Sequence, residues 1–430
     1  MSRLPSSHWS ELNSLDQWLS YLEQLHSQEI DLGLERISAV ADRLNINLDF
    51  AKVITVAGTN GKGTTCAFVE HALLSRGHSV AVYSSPHIEV FNERLRLNRV
   101  NVSDQPLIDA FIKIEQARAD ISLTYYEYTT LAALLVLMIE RPEFIILEVG
   151  LGGRLDATNM IDTDVAVLTT IDLDHQAFLG NTRELIGFEK AGIMRSGKPA
   201  IVGDTEVPNS VIEHGNNIGA QLVVRNRTFT VTTYDDSDSW QWQLGPLSLA
   251  DLPPTNIPRD NVATGLAVLA NLGLPLSVSE TRQWILETKV AGRTELFPGP
   301  PDVVLDVGHN PQAARYLASY LAAKLANSSY KKVYAVVAML ADKDVEQTLA
   351  PLTDVVEAWF VSELDLPRAA DKSRLLNTLN DLGQQVNSFD NVNIAYKMAT
   401  QTAAEDELVL VFGSFFTVAE IRRRLVADVE

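Results

Sequence analysis

Short apolar runs alternate along the chain with longer segments whose apolar residues recur every three or four positions. The short runs predict buried strands, because a parallel strand covered on both faces is apolar throughout. The longer segments predict helices with one buried face. The first of them is Ser14–Leu25, whose apolar face consists of Leu15, Trp18, Leu19, Leu22 and Leu25. The alternation of the two kinds of segment predicts an α/β fold with parallel sheets.

The elements predicted before residue 290 surround a set of buried strands. The predicted strands are Val53–Ala57, Val80–Tyr83, Phe144–Gly150 and Val165–Thr170. The predicted helices, besides the first, are Ile30–Asn45, Cys66–Arg76, Thr129–Ile139 and Asn261–Leu272. Alternating apolar and polar residues in Arg227–Leu249 predict a hairpin-like β excursion at the surface.

A second α/β series follows a proline-rich stretch. Residues 291–301 end in Phe297-Pro298-Gly299-Pro300-Pro301, which predicts a stiff linker. The predicted strands after it lie within Val303–Pro311, Val333–Met339, Val355–Val361 and Leu408–Phe412. The predicted helices are Gln312–Ala326, Val345–Leu352 and Thr417–Leu425. Because 430 residues exceed one typical core, two domains are predicted, 1–295 and 296–430.

The segment after the strand Val53–Ala57 has the composition of a phosphate-binding loop. Gly58, Gly61 and Gly63 let the backbone turn tightly with its N–H groups pointing inward, and the N-terminus of the next helix favours anions. Lys62 supplies a charge for the outer phosphates and Thr64 a hydroxyl for Mg²⁺. The spacing departs from the usual G-x-x-x-x-G-K-[ST] loop, because a glycine separates the lysine from the threonine. An ordinary glycine-rich turn is the alternative, but the flanking strand and helix favour phosphate binding.

Polar residues follow three further strands and are predicted to meet this glycine loop at one edge of the sheet. Ser85 follows the second strand, Glu148 lies near the end of the third, and His175 follows the fourth. Ligands bind at the carboxyl edge of such sheets, and a buried carboxylate is costly unless it is paired or bound to a metal. Ser85 in a simple turn and a structural His175 are the alternatives. The convergence of these groups with Lys62 favours a functional site.

Three further segments are ambiguous from pattern alone. The tyrosines and glutamate of Ile121–Tyr128 can line a slot for a flat ring, although packing at a helix entry is the favoured interpretation. Leu151–Asn159 is a flexible loop with an arginine and an aspartate, which suits a segment that clasps a substrate. Lys190 lies in a short polar helical segment, Gly187–Ile193, and is predicted to be exposed to solvent.

Composition narrows the class of protein. A formal net charge of -20 disfavours binding to nucleic acid or to anionic membranes. Cys66 is the only cysteine, so no internal disulfide forms and a reducing compartment fits. The longest apolar run, Leu131–Ile139, is too short to span a membrane, and the N-terminus lacks the apolar core of a signal peptide. We therefore expect a cytoplasmic protein, in which anionic ligands would need concentrated local positive charge.

A series of short strings runs through nearly the whole chain in a fixed order. They are Asp31–Arg36, Thr59–Thr64, Tyr83–His87, Leu123–Tyr128, Leu147–Asn159, Glu189–Gly192, Asp306–Pro311 and Gly413–Val418. In these strings the chain resembles the folylpolyglutamate synthase family of Mur-type amide ligases, and closely its bifunctional dihydrofolate synthase/folylpolyglutamate synthases. The irregular loop spacing is the pattern of this family. Two positions depart from it, since Gly308 stands where alanine is usual and Phe416 where histidine is common.

The resemblance implies an ATP-dependent ligation through an acyl phosphate. A carboxylate of dihydropteroate, or of the glutamyl tail of a tetrahydrofolate, would attack the γ-phosphate of ATP, and the amine of L-glutamate would then displace phosphate. The implied fold is an N-terminal P-loop ATPase domain of the Mur ligase kind, which also binds the pterin, and a smaller Rossmann-like C-terminal glutamate ligase domain. The implied cofactors are ATP and Mg²⁺, with a monovalent cation left open. A monomer that closes as a two-domain clamp is expected, because the acyl phosphate would hydrolyse in open water.

The resemblance also carries roles to particular residues. The expected ATP contacts are Thr59, Asn60, Gly61, Lys62, Gly63, Thr64, Asn261, Arg293 and Asp306. The expected dihydropteroate contacts are Thr124, Tyr125, Tyr126, Glu127, Leu155, Asp156 and Ala157, which replaces the packing interpretation of the tyrosines. The expected metal-site residues are Ser85, Glu148 and His175, with Lys190 carried as a carbamate near the metal. Lys62, Lys190 and His309 are expected to act in catalysis, and His309 and Ser414 to meet the incoming glutamate.

Mg²⁺ prefers oxygen ligands, so His175 would serve a second metal or act through water. Three other functions stay open at this point. One is a folylpolyglutamate synthase without the dihydrofolate synthase activity. Another is a cell-wall Mur ligase acting on a UDP-sugar peptide, which the folate strings disfavour. The third is a nucleotide-dependent switch that forms no amide.

Overall fold

The computed structural model describes residues 8–28, 30–234, 237–327 and 330–427. The chain divides into two compact units, Met1–Thr288 and Lys289–Glu430. Each unit contains a largely parallel sheet with helices, which confirms the predicted α/β class. None of the helices in the described ranges combines the length and the apolar character needed to cross a membrane. The assignment of separate functions to 1–295 and 296–430 stays a prediction.

The first unit is built on a large sheet. Its strands are β1 (Lys52–Ala57), β2 (Val80–Tyr83), β3 (Leu95–Leu97), β4 (Val100–Asn101), β5 (Phe144–Glu148), β6 (Val165–Leu168), β7 (Pro199–Val202) and β8 (Gln221–Val224). Among the described residues this sheet has eight strands in the order β4-β3-β2-β5-β1-β6-β7-β8. The strands β2, β5, β1, β6, β7 and β8 are parallel to one another. The strands β3 and β4 extend the β2 side of the sheet as an antiparallel edge.

Helices cover this sheet. They are α1 (Leu15–Leu22), α2 (Glu35–Leu44), α3 (Lys62–Ser75), α4 (Asp104–Arg118), α5 (Tyr125–Glu140), α6 (Gln176–Leu179), α7 (Arg183–Ala191), α8 (Asn209–Ile218), α9 (Arg259–Asn271) and α10 (Val278–Glu287). The core between the sheet and the helices α1, α2, α4 and α5 includes the buried rings of Trp18, Phe111 and Tyr128. Helix α5 begins four residues earlier than predicted because Thr124 caps its N-terminus.

A smaller sheet corresponds to the predicted β excursion. Its strands are β9 (Phe229–Tyr234), β10 (Ser237–Leu244) and β11 (Leu247–Leu252), in the order β11-β10-β9, and Asp235 and Asp236 lie outside the described residues. The prediction that this segment lies at the surface is wrong for one of its faces. Phe229, Trp240 and Trp242 are fully buried, and the indole N–H of Trp242 donates to the carbonyl of Ala263 in α9 at 3.0 Å. The alternating pattern therefore marks a sheet that packs against a helix.

The second unit has its own sheet. Its strands are β12 (Glu295–Phe297), β13 (Asp302–Asp306), β14 (Val333–Val337), β15 (Ala358–Val361), β16 (Val386–Ser388) and β17 (Leu408–Phe412), and its helices are α11 (Pro311–Asn327), α12 (Val345–Leu349), α13 (Lys372–Asp381), α14 (Val392–Thr402) and α15 (Phe415–Ala427). Among the described residues the order is β12-β13-β17-β14-β15-β16. The predicted linker is wrong at 295–297, since these residues pair with β13 as an antiparallel edge strand.

Candidate active site

The central strands of the first unit bring most of the predicted site residues to one edge of the sheet. The strands β2, β5, β1 and β6 are neighbours in this order. Glu148, the last residue of β5, pairs with Val56 of β1, so the glycine loop starts beside this carboxylate. Ser85 follows β2 and His175 follows β6, on either side of this pair. The carboxyl edge predicted from the βαβ pattern is therefore formed by strands that are adjacent in space.

The glycine loop is held in place by the segment that follows β6. The N–H of Thr59 donates to the carbonyl of Thr170 at 2.7 Å, and the N–H of Asn60 donates to the Thr170 hydroxyl at 3.1 Å. The hydroxyl of Thr169 donates to the carbonyl of Asn60 at 2.6 Å. Gly61, with φ at +87°, adopts the left-handed conformation that favours glycine, and it caps the start of α3. These hydrogen bonds fix the shape of the loop.

Lys62 is the first residue of α3 and folds back over this loop. Its ammonium group donates to the carbonyl of Gly58 at 2.9 Å and approaches the carbonyl of Thr59 at 3.4 Å. Phosphate oxygens are stronger acceptors than neutral carbonyls, because a charge-assisted hydrogen bond gains from both charges. The lysine can therefore exchange these carbonyls for a phosphate that binds at the loop.

Asn261 contacts the same loop from α9, a distant part of the sequence. Its amide nitrogen donates to the hydroxyl of Thr64 at 2.7 Å, and this hydroxyl lies 3.0 Å from the carbonyl of Gly61. A Cβ atom at Gly61 would overlap the side-chain oxygen of Asn261. The glycine is therefore required at this position for a second reason, which is the close approach of α9.

The oxygen-rich edge beside the loop has the chemistry of a magnesium site. Glu148 is buried, and a Cβ atom placed on Gly63 would lie 3.7 Å from its carboxylate. The hydroxyls of Ser85 and Thr64 belong to the same edge. In the described ranges, no group of three or more His, Cys, Asp or Glu side chains could hold a metal by itself. This arrangement suits Mg²⁺, which commonly uses one or two carboxylates and completes its shell with substrate phosphates and water.

His175 differs from the other predicted metal-site residues. It has a left-handed backbone conformation, its side chain is 38% exposed, and its Nε2 lies 3.9 Å from the carboxylate of Asp174. It lies on the segment after β6, on the far side of β1 from Glu148. Its role at a metal stays a prediction.

Lys190 is buried, so the prediction that it is exposed to solvent is wrong. It is only 4% exposed, at the end of α7. The loop that carries Arg154 packs against this end of the helix, where the N–H of Arg154 donates to the carbonyl of Glu189 at 2.7 Å and the two side chains form an ion pair at 2.8 Å. A Cβ atom at Gly153 would lie 2.8 Å from the carbonyl oxygen of Glu189, so only glycine allows the loop to pack this closely against α7.

Burial changes the chemistry of this lysine. Desolvation lowers the pKa of Lys190 to about 7, and the positive charge of Lys62 adds to the effect, while Asp174 and Asp156 oppose it. A lysine with such a pKa is largely an uncharged amine in mildly alkaline solution. An uncharged amine is a nucleophile, which distinguishes Lys190 from an ordinary surface lysine.

The predicted pterin segment at the start of α5 is held by polar contacts. The carboxylate of Glu127 accepts from the N–H of Thr124 at 2.8 Å, and the N–H of Glu127 donates to the Thr124 hydroxyl at 3.2 Å, which completes a capping box. Arg36 forms an ion pair with Glu127 at 3.2 Å and also donates to the carbonyl of Asp31 at 2.6 Å. These groups fix the shape of the segment, and they tie the string Asp31–Arg36 to it.

Asp156 organises the loop that follows β5. Its carboxylate accepts from the N–H groups of Gly150 at 3.0 Å, Leu151 at 2.8 Å and Thr158 at 3.0 Å, and from the Thr158 hydroxyl at 2.7 Å. Burial raises the pKa of Asp156, and these hydrogen bonds oppose the rise. Tyr126 lies against the same loop, since a Cβ atom at Gly150 would be 2.6 Å from its ring.

The remaining predicted pterin contacts are apolar or aromatic. Tyr125 is half-buried, and burial raises its pKa to about 12, so its hydroxyl keeps its proton at neutral pH. The guanidinium carbon of Arg94 lies 5.6 Å from the centre of its ring. Leu155 is half-buried and Ala157 is buried. The contacts of all these residues with a substrate stay predictions.

The predicted residues of the second unit lie at the carboxyl edge of its own sheet. The buried carboxylate of Asp306 accepts from the N–H groups of Thr294 at 2.8 Å and Gly308 at 2.7 Å, and burial raises its pKa while Arg293 lowers it. Arg293 lies over the ring of Phe415, with 5.5 Å from the guanidinium carbon to the ring centre.

Two candidates for the incoming glutamate, His309 and Ser414, follow the paired strands β13 and β17. His309 has its Nδ1 2.8 Å from the carbonyl of Val307, and its ring lies 6.2 Å from that of Phe415. The hydroxyl of Ser414 is buried and accepts from the N–H of Thr417 at 3.0 Å at the start of α15. This bond engages the serine in capping a helix. Its role towards glutamate therefore stays a prediction.

Some residues of the edge carried no functional assignment from the sequence. Thr169 and Thr170 shape the glycine loop, Asp174 faces Lys190, and Arg36 holds the start of α5. Arg36 belongs to the string Asp31–Arg36, which resembles the family but predicts no function for the arginine side chain. The threonines end a predicted strand, and only the pairing of β6 with β1 shows what they contact.

Comparisons with known proteins agree with this geometry. Family models match in both units. The Mur ligase middle domain matches residues 56–243, and the Mur ligase glutamate ligase domain matches residues 292–415. The dihydrofolate synthase/folylpolyglutamate synthase of Escherichia coli is 46% identical over 409 residues, which cover 95% of this chain and 94% of that protein.

Solved structures show the same relationship. Escherichia coli FolC in complex with DHPP and ADP superposes with a TM-score of 0.92 at 43% identity and covers 100% of both chains. The bifunctional folylpolyglutamate synthase/dihydrofolate synthase from Yersinia pestis, complexed with AMPPNP and Mn ion, gives 0.89 at 44% identity and covers 99% of this chain and 100% of that one. The predicted family resemblance and the predicted Mur-ligase-like fold are confirmed.

Proposed function

The chain belongs to the dihydrofolate synthase/folylpolyglutamate synthase family of Mur-type ligases, and we propose that it joins L-glutamate to dihydropteroate and to the glutamyl tail of tetrahydrofolates at the expense of ATP. Enzymes of this family are ATP-dependent ligases, which sets aside a switch that forms no amide. The observation that carries the proposal is the sheet edge where the glycine loop, the Glu148 carboxylate and the buried Lys190 lie beside the aromatic start of α5.

The reaction explains why the ammonium group of Lys62 and the N-terminus of α3 lie at the glycine loop. A carboxylate is a poor electrophile, and phosphorylation gives it a leaving group. Two anions, the substrate carboxylate and ATP, must first come together in a protein with a net charge of -20. The loop amides, the dipole of α3 and Lys62 would offset this repulsion locally and would stabilise charge on the transferring phosphoryl group.

Within this proposal, Glu148, Ser85 and the hydroxyl of Thr64 would hold Mg²⁺. The oxygen-donor set and the Gly63 backbone next to the carboxylate support this assignment. The metal would neutralise phosphate charge. Lys62 moves from the loop carbonyls to the phosphates, Asn261 keeps Thr64 in place, and Asp156 holds the loop beside the substrate.

We further propose that Lys190 carries a carbamate. Its lowered pKa leaves an uncharged amine near neutral pH, which can attack the carbon of CO₂, form an N–C bond and release a proton. The product is an anion at a position where an ammonium would be buried beside Lys62. Supplying ¹³CO₂ to the whole protein should give a carbamate carbon signal by NMR at pH 8 that weakens below pH 7, where the amine is protonated. A Lys190→Met variant should lack this signal, and an identical signal in both proteins would refute the assignment.

The test of the function is ADP release with two acceptors. Purified protein should release ADP with dihydropteroate plus glutamate and with tetrahydrofolate plus glutamate, and much less when glutamate is omitted. If ADP is released with tetrahydrofolate plus glutamate but not with dihydropteroate plus glutamate, the protein is a folylpolyglutamate synthase without dihydrofolate synthase activity. Turnover only with a UDP-sugar peptide would show a cell-wall ligase and overturn the proposal.

Three parts of the sequence-based picture stay predictions within this proposal. They are the monomeric state, the use of a monovalent cation and the cytoplasmic location. Light scattering during size-exclusion chromatography tests the first. Activity with and without added K⁺ tests the second.

A further inference from the structure

Arg225 is a buried arginine, and two of its guanidinium nitrogens have no hydrogen-bond partner among the described residues. It follows β8, its side chain is 7% exposed, and it forms one ion pair, to the carboxylate of Asp260 at 3.1 Å. Its Nε and one terminal nitrogen are buried and, within the part of the chain that the structure describes, make no hydrogen bond. The guanidinium carbon lies 6.0 Å from the centre of the buried Phe229 ring. Such a group is costly, because a buried cation normally needs several hydrogen bonds.

The partner of this arginine lies beside the nucleotide loop. Asp260 is in the first turn of α9 and directly precedes Asn261, whose amide contacts Thr64 and whose oxygen fills the space that a side chain at Gly61 would need. An anionic residue in the first turn stabilises a helix, but here it also places a negative charge near the point where phosphates bind. The ion pair with Arg225 offsets this charge from the buried side, and Arg259 precedes Asp260 in the same turn.

The small sheet supports the same turn of α9. Arg225 forms an isolated bridge with Phe229 at the start of β9, and Trp242 of β10 donates to the carbonyl of Ala263, one turn along the helix from Asp260. The hydroxyl of Thr264 donates to the carbonyl of Asp260 at 2.7 Å. The start of α9 is therefore held both by Arg225 and by the small sheet.

We propose that Arg225 is a positioning residue for nucleotide binding. It holds the first turn of α9, so that Asn261 meets the glycine loop. It also neutralises Asp260, so that the bound phosphates are not repelled. This inference rests on the proposed function, since it concerns the nucleotide of that reaction. It adds a role for the sheet of β9, β10 and β11, which supports α9.

Calorimetric titration of the whole protein with MgADP tests this role. Arg225→Gln should bind MgADP about five- to tenfold more weakly than the wild type, because an uncompensated carboxylate is left near the phosphates. Adding Asp260→Asn to this variant should restore most of the loss, since the repelling charge is then removed. Arg227→Gln removes the same charge from an exposed position two residues away and should bind like the wild type. KM for dihydropteroate should stay within about twofold in all these folded variants, which a general structural defect would not allow.

The outcomes separate the two levels of inference. Absence of MgADP binding by the wild-type protein would refute the proposed function. Wild-type affinity in a folded Arg225→Gln protein, or no recovery in the double variant, would refute the role of Arg225 alone. Should Arg225→Gln fail to fold, Arg225→Lys decides, because lysine keeps the charge but loses the planar guanidinium that meets Asp260. It should bind MgADP about two- to fivefold more weakly than the wild type, and wild-type affinity in this folded variant would overturn the positioning role.

Discussion

The two units present similar sheet edges that are organised in different ways. At the edge of the first unit, key contacts join residues far apart in the chain, such as Asn261 with Thr64 and the Arg154 loop with the end of α7. At the edge of the second unit, Asp306 is satisfied by the N–H groups of Thr294 and Gly308, which lie close to it in sequence. In these contacts the glycine loop and Lys190 are held by distant segments, whereas Asp306 is held by its neighbouring turns.

The largest effect is expected at Lys62. Lys62→Ala removes the ammonium group that we propose contacts the transferring phosphoryl group, and we expect kcat to fall about 10³-fold in both glutamate ligations. Lys113→Ala, which removes an exposed lysine from α4, is the matched control and should act like the wild type. Steady-state ADP release measures both. A kcat of Lys62→Ala within about tenfold of the wild-type value would show that Lys62 does not take part in catalysis.

A somewhat smaller loss is expected at Lys190. Lys190→Ala should lower turnover about 10²-fold, since both the nucleophilic amine and any carbamate formed on it are lost. Added bicarbonate should not restore activity, because no amine remains to react. Near-wild-type turnover would contradict the carbamate.

The same lysine should make the folded protein less stable. Lys190→Met removes a buried amine and should raise the free energy of unfolding by about 1–4 kcal/mol below pH 7, while activity is lost. The pKa is lower in the folded state than in the unfolded state, so the cost of burial is greatest below about pH 7 and declines as pH rises towards the unfolded value. Urea unfolding of both proteins at pH 6 and pH 9 measures the difference. A larger gain at pH 9 than at pH 6 would contradict the lowered pKa.

Asn261 should have a moderate and selective effect. Asn261→Ala breaks the hydrogen bond to Thr64 and leaves a space above Gly61, so KM for ATP should rise about three- to tenfold. KM for dihydropteroate should change little. Asn271→Ala, at the other end of α9, serves as the control. Equal increases in KM for both substrates would show a general loosening of the unit.

The smallest effect is expected at the second edge. Ser414→Ala removes the hydroxyl that caps α15 and should lower the stability of the second unit by about 0.5–2 kcal/mol. Thermal unfolding measures this change. KM for glutamate should change less than threefold if capping is the main role. A large rise in this KM without loss of stability would instead show that Ser414 contacts glutamate. The second edge would then bind substrate, as is proposed for the first.

Much of the fold follows from the sequence, because buried parallel strands are apolar along their whole length. The runs around Ile54, Val82, Ile146 and Val167 were each predicted as strands, and β1, β2, β5 and β6 confirm them. The predicted linker failed at 295–297, because Leu296 and Phe297 pair with residues of β13 that cannot be identified as partners from local pattern.

The same limit explains the errors at the site. Lys190 was predicted to be exposed because its own segment is polar, whereas its burial comes from a loop about 35 residues earlier in the chain. The paired glycines at 152 and 153 were the available signal, since they mark a close approach of two backbones. Arg225 gave no local signal, because only the folded structure places it beside Asp260.

The measurement that tests the central claim most directly follows an oxygen isotope. Dihydropteroate labelled with ¹⁸O in its carboxylate is incubated with the protein, ATP and glutamate, and the phosphate released is analysed by mass spectrometry. Attack of the carboxylate on the γ-phosphate leaves one ¹⁸O in the bridging position, so each phosphate expelled by glutamate should carry one ¹⁸O atom. Unlabelled phosphate, formed together with the amide product, would contradict an acyl phosphate intermediate at this site.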